Sequence, residues 1–209
     1  MNQKDHWQQV YSTRQTESLG WYKPHLATSM SWIKALNLDL EDPVIDIGGG
    51  ASTLVDDLLE LGHRSITVLD ISDNATSTAR RRLAKKAELV TWLEGDITSI
   101  DLPTNYYALW HDRAVFHFLS EQEQQQKYRH NLLKSLKPGG YLVIGTFAPE
   151  APAICSGLPV QRYSQEQLVK ALGEEFELMR HQKELHITPG GVEQMYIYCQ
   201  FRKRSDKPL

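Results

Sequence analysis

Asp46-Ile47-Gly48-Gly49-Gly50-Ala51-Ser52, followed by the lone carboxylate of Asp70, is where the chain first offers chemistry. Three consecutive glycines let the backbone turn sharply and approach a ligand with no Cβ in the way. A dinucleotide site calls for G-x-G-x-x-G, but Thr53 stands at the third glycine position and Asp46 precedes the turn. A carboxylate there is poor company for a pyrophosphate and suits a cation, an ammonium or a sulfonium. Asp70 can accept hydrogen bonds from a ribose diol, which favours an adenosine ligand. Gly95-Asp96-Ile97 supplies a third such position. Asp96 is there a candidate for an adenine amino group, the alternative being a turn in which it caps Thr98.

A second set of residues lies further along. His111, Asp112 and Arg113 are adjacent ionisable groups at the end of an apolar run, where unpaired charge is costly to bury. With His117 close by, they form the best site candidate outside the glycine turn. An imidazole, of His111 or His117, could take a proton from an amine or hydroxyl. Asp112 and Arg113 could pair with each other or hold a substrate carboxylate through the guanidinium fork. His111, His117, Cys155, His181 and His186 include no close-set ligand pair of the zinc type, so no metal site is expected.

The elements that must position these residues read as alternating strands and helices. Val44 to Ile47 is a short buried strand and Ala51 to Leu61 has helical spacing. Ser65 to Leu69, Glu88 to Leu93, Tyr106 to Trp110 and Tyr141 to Phe147 are further strands. Between them lie a helix capped by Ser72 and running through Ala79 to Ala87, and one opened by the capping box Ser120-x-x-Glu123. That second helix ends near Leu136, with Gly139-Gly140 as its stop. Ala148 to Tyr163 is a long irregular loop, and Ser164-x-x-Gln167 caps another helix. Phe176 to Ile187 and Gln194 to Arg202, joined through Thr188-Pro189-Gly190-Gly191, form an antiparallel hairpin. The pattern predicts an α/β, doubly wound, mostly parallel seven-stranded sheet with helices on both faces and an antiparallel C-terminal hairpin strand.

At 209 residues the chain fits a single domain spanning residues 1–209. A net charge of −3 gives no basic field for a phosphate backbone, so no nucleic-acid partner is expected. The run Arg80-Arg81-Arg82 with Lys85 and Lys86 reads as a solvated helix face. Cys155 and Cys199 are too few for a disulfide framework and point to a reduced, cytoplasmic setting. The N-terminus lacks a signal-peptide core, and no window approaches the ~18 apolar residues of a membrane span. Monomer and homodimer both remain open.

Asp46-x-Gly48-x-Gly50-x-Ser52, Asp70 ending the next strand, Gly95-Asp96-Ile97 after a third, and Leu136-Lys137-Pro138-Gly139-Gly140 together resemble the motifs of class I S-adenosylmethionine (SAM)-dependent methyltransferases. Ser52 departs from the usual third glycine. The resemblance implies SAM as cofactor, held by Asp46, Gly48, Gly49, Gly50, Ser52, Asp70, Ile71, Asp96 and Ile97. It also implies that residues 1–40, with Trp21 and Tyr22, form a helical, aromatic lid. His111 to Leu119 and Cys155 to Ser164 are similar to a bacterial group of small stand-alone methyltransferases. A looser similarity runs to eukaryotic protein-lysine methyltransferases. The expected acceptor is a small molecule, or else a protein lysine or terminal amine; an NAD(P)-dependent oxidoreductase and an inactive SAM-fold module are the competing readings.

Overall fold

A computed structural model of the chain describes residues 2–205. In order, α1 (Gln3–Thr13), α2 (Ala27–Ala35), β1 (Val44–Ile47), α3 (Leu54–Glu60), β2 (Ile66–Asp70), α4 (Asp73–Leu83), β3 (Val90–Glu94), β4 (Tyr107–Arg113), α5 (Gln122–Ser135) and β5 (Leu136–Phe147) build the first part. A two-residue hairpin follows, β6 (Ile154–Cys155) and β7 (Leu158–Pro159), then α6 (Gln165–Leu172), β8 (Phe176–Ile187) and β9 (Glu193–Lys203).

Seven strands join in the order β3-β2-β1-β4-β5-β9-β8. The first five are mutually parallel, whereas β9 runs antiparallel to β5 and β8 antiparallel to β9. Strand side chains alternate between faces, and here both faces are apolar. Val44, Val68, Leu109 and Val143 pack with α2 and α3, while Ile45, Leu69, Trp110 and Ile144 pack with α5 and α6. That two-sided burial is why the strands read as continuous apolar runs. Chain order reverses between β1 and β4, so the connections leave to opposite sides and open a cleft at the carboxyl ends of these two strands.

The boundaries differ from the sequence expectation at three places that matter to the site. β4 does not stop at Trp110 but continues its ladder through Arg113, with His111 opposite Asp46 and Asp112 opposite Ile47. α5 opens one residue later than the Ser120-x-x-Glu123 box would have it. Ser120 N–H donates to Phe118 O, and the reciprocal cap is made by Glu121 and Gln124. The first 40 residues divide: α1 crosses the carboxyl edge of the sheet, where Gln8 Oε1 accepts from Ser72 Oγ at 3.0 Å and Asn74 N at 3.1 Å, whereas α2 packs on the sheet face. Among the described residues no helix is long and apolar enough to cross a membrane, and no group of three or more His, Cys, Asp or Glu side chains is placed to hold a metal ion.

The turn after β4 is held from beneath. Asp112, fully buried, accepts from Val115 N at 2.9 Å, Phe116 N at 3.2 Å and Tyr128 Oη at 2.7 Å, and Tyr128 Oη accepts from Trp110 Nε1 at 3.0 Å. Burial raises the Asp112 carboxyl to about 6 despite these bonds. Ala114 sits at φ 71°, a left-handed position that such anchoring must stabilise. His117 lies in the 3-10 turn Phe116–Phe118, fully buried beside Phe118 and Phe147, and its Nδ1 accepts from Phe147 N at 3.2 Å. Desolvation, reinforced by the Arg113 charge, lowers its pKa to about 3, so the imidazole is neutral.

Two predictions follow from these anchors. Tyr128→Phe leaves the Asp112 carboxylate and the Trp110 N–H each short of a partner, and should cost about 1.5–3 kcal/mol, read as a lower urea midpoint at unchanged slope. An unchanged midpoint would remove Tyr128 as the anchor. For His117 the folded pKa lies below the ordinary 6.5, so the unfolded chain binds the extra proton and stability is lost as pH falls below 6.5. Between pH 7.5 and 5 this group accounts for about 2 kcal/mol of loss. His117→Asn, which keeps an acceptor for Phe147 N–H, should lose that much less over the same interval; equal losses would refute the assignment.

Candidate active site

The glycine turn is stapled to the end of β2. Gly48 and Gly49 N–H both point at Leu69 O, at 2.7 and 3.3 Å, Gly50 N–H donates to Asp70 Oδ2 at 3.0 Å, and Ser52 N–H donates to Gly49 O. Gly48 has φ 66°, and a Cβ there would lie 2.1 Å from Val115 Cγ2. At Gly49 a Cβ would lie 2.2 Å from Asp46 Oδ2, so the carboxylate and the turn can be this close only because the residue is glycine. These four N–H groups have internal acceptors, which withdraws them as donors to a pyrophosphate.

Asp46 offers the opposite polarity. Its Oδ1 bonds His111 Nδ1 at 2.6 Å, while Oδ2 is buried with no partner. His111 Nε2 bonds Ser29 Oγ of α2 at 2.9 Å, so both imidazole nitrogens are engaged inside the protein. Ser29, His111 and Asp46 have the connectivity of a nucleophilic triad, but Ser29 is fully buried and lines neither chamber described below, which denies it a substrate. His111 thereby holds Asp46 in place from beneath.

Two adjoining chambers open at the switch between β1 and β4. The smaller, about 450 Å³, is bordered by Asp46, Gly49, Ser52, Tyr22, Lys23 and His111. The larger, about 780 Å³, has Asp70, Ile71, Asp96 and Ile97 on one side and Trp7, Tyr11 and Phe118 on the other. Trp21, Gly48 and Arg113 border both. The Asp70 carboxylate is oriented by Gly50 N–H and by Ser72 N–H, the latter at 2.8 Å, and burial raises it to about 6. Asp96 Oδ1 accepts from Thr98 N at 2.8 Å and Thr98 Oγ1 at 2.7 Å, so it caps that turn while also lining the chamber. Trp7 stands edge-on to both Trp21 and Phe118, at 5.5 and 5.0 Å between ring centres. Cys155, on the β6–β7 hairpin, closes the same wall, and burial pushes its thiol up to about 11.

The residues singled out by sequence therefore separate. Asp46, Gly48, Gly49, Ser52, Asp70, Ile71, Asp96, Ile97, Trp21, Tyr22, His111 and Arg113 border the cleft, and Gly50 supports it through Asp70. Asp112 and His117 line neither chamber. The expected grouping of 111–113 as one site cluster gives way to strand alternation: His111 turns toward α2, Asp112 toward α5, and of the three Arg113 reaches the larger chamber. Nor do Asp112 and Arg113 pair, since Arg113 bonds Tyr198 Oη at 2.9 Å and Trp21 O at 2.8 Å. The sequence reading missed Val115, Phe118, Lys23 and the supporting Ser29 and Tyr198, whose positions carry no motif. The donor set fits SAM: an unpartnered buried carboxylate oxygen for the ammonium, an oriented carboxylate for the ribose diol, and apolar sides for adenine.

Comparisons with known proteins agree. Residues 44–140 match the family model described as a methyltransferase domain. The eEF1A lysine and N-terminal methyltransferase homolog of Drosophila melanogaster is 24% identical over 147 residues, 68% of this chain and 22% of that protein. The mitochondrial ubiquinone biosynthesis O-methyltransferase of Schizosaccharomyces pombe is 26% identical over 108 residues, 50% of this chain and 38% of that protein. The chain thus spans about a fifth to two fifths of the length of these relatives. Among solved structures, the N-methyltransferase NodS of Bradyrhizobium japonicum, bound to S-adenosylhomocysteine, superposes with a TM-score of 0.73 at 18% identity, covering 97% of this chain and 99% of that one. An enzyme that converts a disulfide into a thioacetal in echinomycin biosynthesis superposes at 0.77 and 16% identity, covering 99% and 93%. The match to the methyltransferase-domain model takes in the motif-bearing residues 44–140, and the whole chain, with its reversed final hairpin, has the fold of these solved structures.

Proposed function

We propose that this chain moves the methyl group of SAM to a nucleophilic atom of a small-molecule acceptor. One observation carries the reading: where a dinucleotide site needs free N–H groups, this turn has bonded N–H groups and a buried, unpartnered Asp46 oxygen. That polarity selects a cationic amino-acid end over a pyrophosphate and argues against the oxidoreductase alternative. SAM supplies an activated methyl carbon; the acceptor's lone pair forms the new bond while the carbon–sulfur pair leaves with sulfur. The protein's part is alignment and exclusion of water. Asp46 and Asp70 fix the two ends of the cofactor, and Trp7, Tyr11, Trp21 and Phe118 roof the junction between them. The aromatic roof supports a small acceptor, which must fit beside the cofactor beneath those rings. The Drosophila relative, a lysine and N-terminal methyltransferase homolog, favours a protein amine as the second reading. A reduced cytosol is the proposed setting, in keeping with the free thiols of Cys155 and Cys199.

Calorimetry with SAM and with NADH tests the cofactor, and SAM alone should bind. Asp70→Ala should weaken SAM by about 1.5–3 kcal/mol, roughly 10–150-fold, with folding checked by circular dichroism because Asp70 also orients Gly50 and Ser72. Wild-type affinity in that variant would sink the ribose assignment. Gly48→Val, which drives a branched side chain into Val115, should abolish SAM binding in a folded protein. Turnover of labelled SAM against panels of small molecules and amine-bearing peptides then decides between the two acceptor classes.

A further inference from the structure

Among the described residues, Arg113 is a cation on the boundary of both chambers whose donors are incompletely matched. Nε donates to Tyr198 Oη, Nη1 donates to Trp21 O, and the guanidinium lies over the Tyr196 ring with Cζ 4.6 Å from its centre. Nη2 is sealed from solvent and has no partner. Among the described residues no carboxylate is bonded to this charge. Glu184, the acid whose field reaches it, is held by Lys23 Nζ and Thr28 Oγ1. Lys23, the other cation at the smaller chamber, is thereby neutralised, whereas Arg113 is not. Asp70 is tied to Gly50 and Ser72, and Asp96 to Thr98. The guanidinium is clamped in position by two tyrosines and a carbonyl, with the N–H groups of Nη2 lacking an acceptor.

Charge without a counter-ion is expensive in such surroundings unless a ligand completes it. On the methyltransferase reading, on which this inference rests, the sulfonium lies between the Asp46 and Asp70 ends, so the junction already carries one positive charge besides Arg113. An approaching cation is opposed by both, and an anion is drawn by both. The walls on the acceptor side, Trp7, Tyr11, Trp21 and Phe118, present flat apolar surfaces. We infer that the acceptor is a small, flat carboxylate, its anionic group received by Arg113 Nη2 and its body by the aromatic wall. Arg113 is then the residue that selects the acceptor, and Tyr198 and Tyr196 position it. The carboxylate serves to orient the acceptor, independently of which of its atoms takes the methyl group.

The same donor would suit the cofactor's own carboxylate, so the test fills the cofactor site first. Benzoate, benzamide and benzylamine serve as probes, titrated calorimetrically into protein saturated with S-adenosylhomocysteine. Benzoate should bind at least about tenfold more tightly than either neutral or cationic analogue, the difference expected for a charge-assisted hydrogen bond. Arg113→Met should erase that preference while holding S-adenosylhomocysteine within about threefold of wild type. Tyr198→Phe, which frees Nε and loosens the clamp, should reduce the preference several-fold at unchanged cofactor affinity, and it carries the test if Arg113→Met does not fold. The inference is overturned if wild type shows no benzoate binding up to its solubility or no preference for it. It is equally overturned if Arg113→Met loses cofactor affinity about tenfold and keeps benzoate, which would assign Nη2 to the cofactor's carboxylate. Failure of wild type to bind S-adenosylhomocysteine would instead strike at the methyltransferase reading itself.

Discussion

The hydrogen bond between Asp46 and His111 joins the two strands at which the sheet reverses its order, and the site is assembled around it. Asp46 leads into the glycine turn and His111 lies opposite it on β4. Through its other nitrogen His111 reaches Ser29 of α2, and two residues further along β4 Arg113 Nε donates to Tyr198 Oη. Arg113 then donates to the carbonyl of Trp21. Two sets of polar contacts therefore leave β4, one tying the glycine turn to α2 and the other tying Arg113 to β9 and to the segment that roofs the cleft. In a low-dielectric interior such contacts rigidify the groups they join, because any member left unpaired is costly.

The two polar ends of the cleft are built by different means. At the glycine turn, backbone N–H groups are bonded within the protein and the buried carboxylates of Asp46 and Asp70 border the chambers, so this end of the cleft is negative. At the far end the exposed charge is a guanidinium, and its own counter-charge is engaged with Lys23 and Thr28. A ligand pair with a cationic half and an anionic half matches that gradient along the cleft. The arrangement assigns recognition to a few oriented groups and leaves the remainder of the wall apolar and aromatic.

Carboxylates at strand ends differ in their role according to which face they leave. Asp46, Asp70 and Asp96 all border a chamber, whereas Asp112, on the opposite face, is consumed in fixing Val115, Phe116 and Tyr128. Its work is indirect, since the turn it holds places Arg113 and the strained Ala114 against the cleft. His117 is likewise part of the packing that seats β5 against this turn.

Local chemistry made the glycine turn and the carboxylates beside it legible in the sequence. Glycine at 48 to 50, a carboxylate before them and another ending the next strand are requirements on backbone geometry and hydrogen bonding that only certain residues meet, and the apolar runs forced a two-sided sheet. The end of the cleft built by β4 was not legible in the same way. His111, Asp112 and Arg113 look like one cluster in a line of text, yet β4 continues through all three, and its two-residue period sends them to different surroundings. How far a strand continues depends on partners distant in the chain, here β1 and β5, so local propensity does not set it. Ser29, Tyr196 and Tyr198 carry no spacing that relates them to Arg113. They meet it because β9 inserts between β5 and β8 and α2 packs across that face, an arrangement that tertiary packing alone decides.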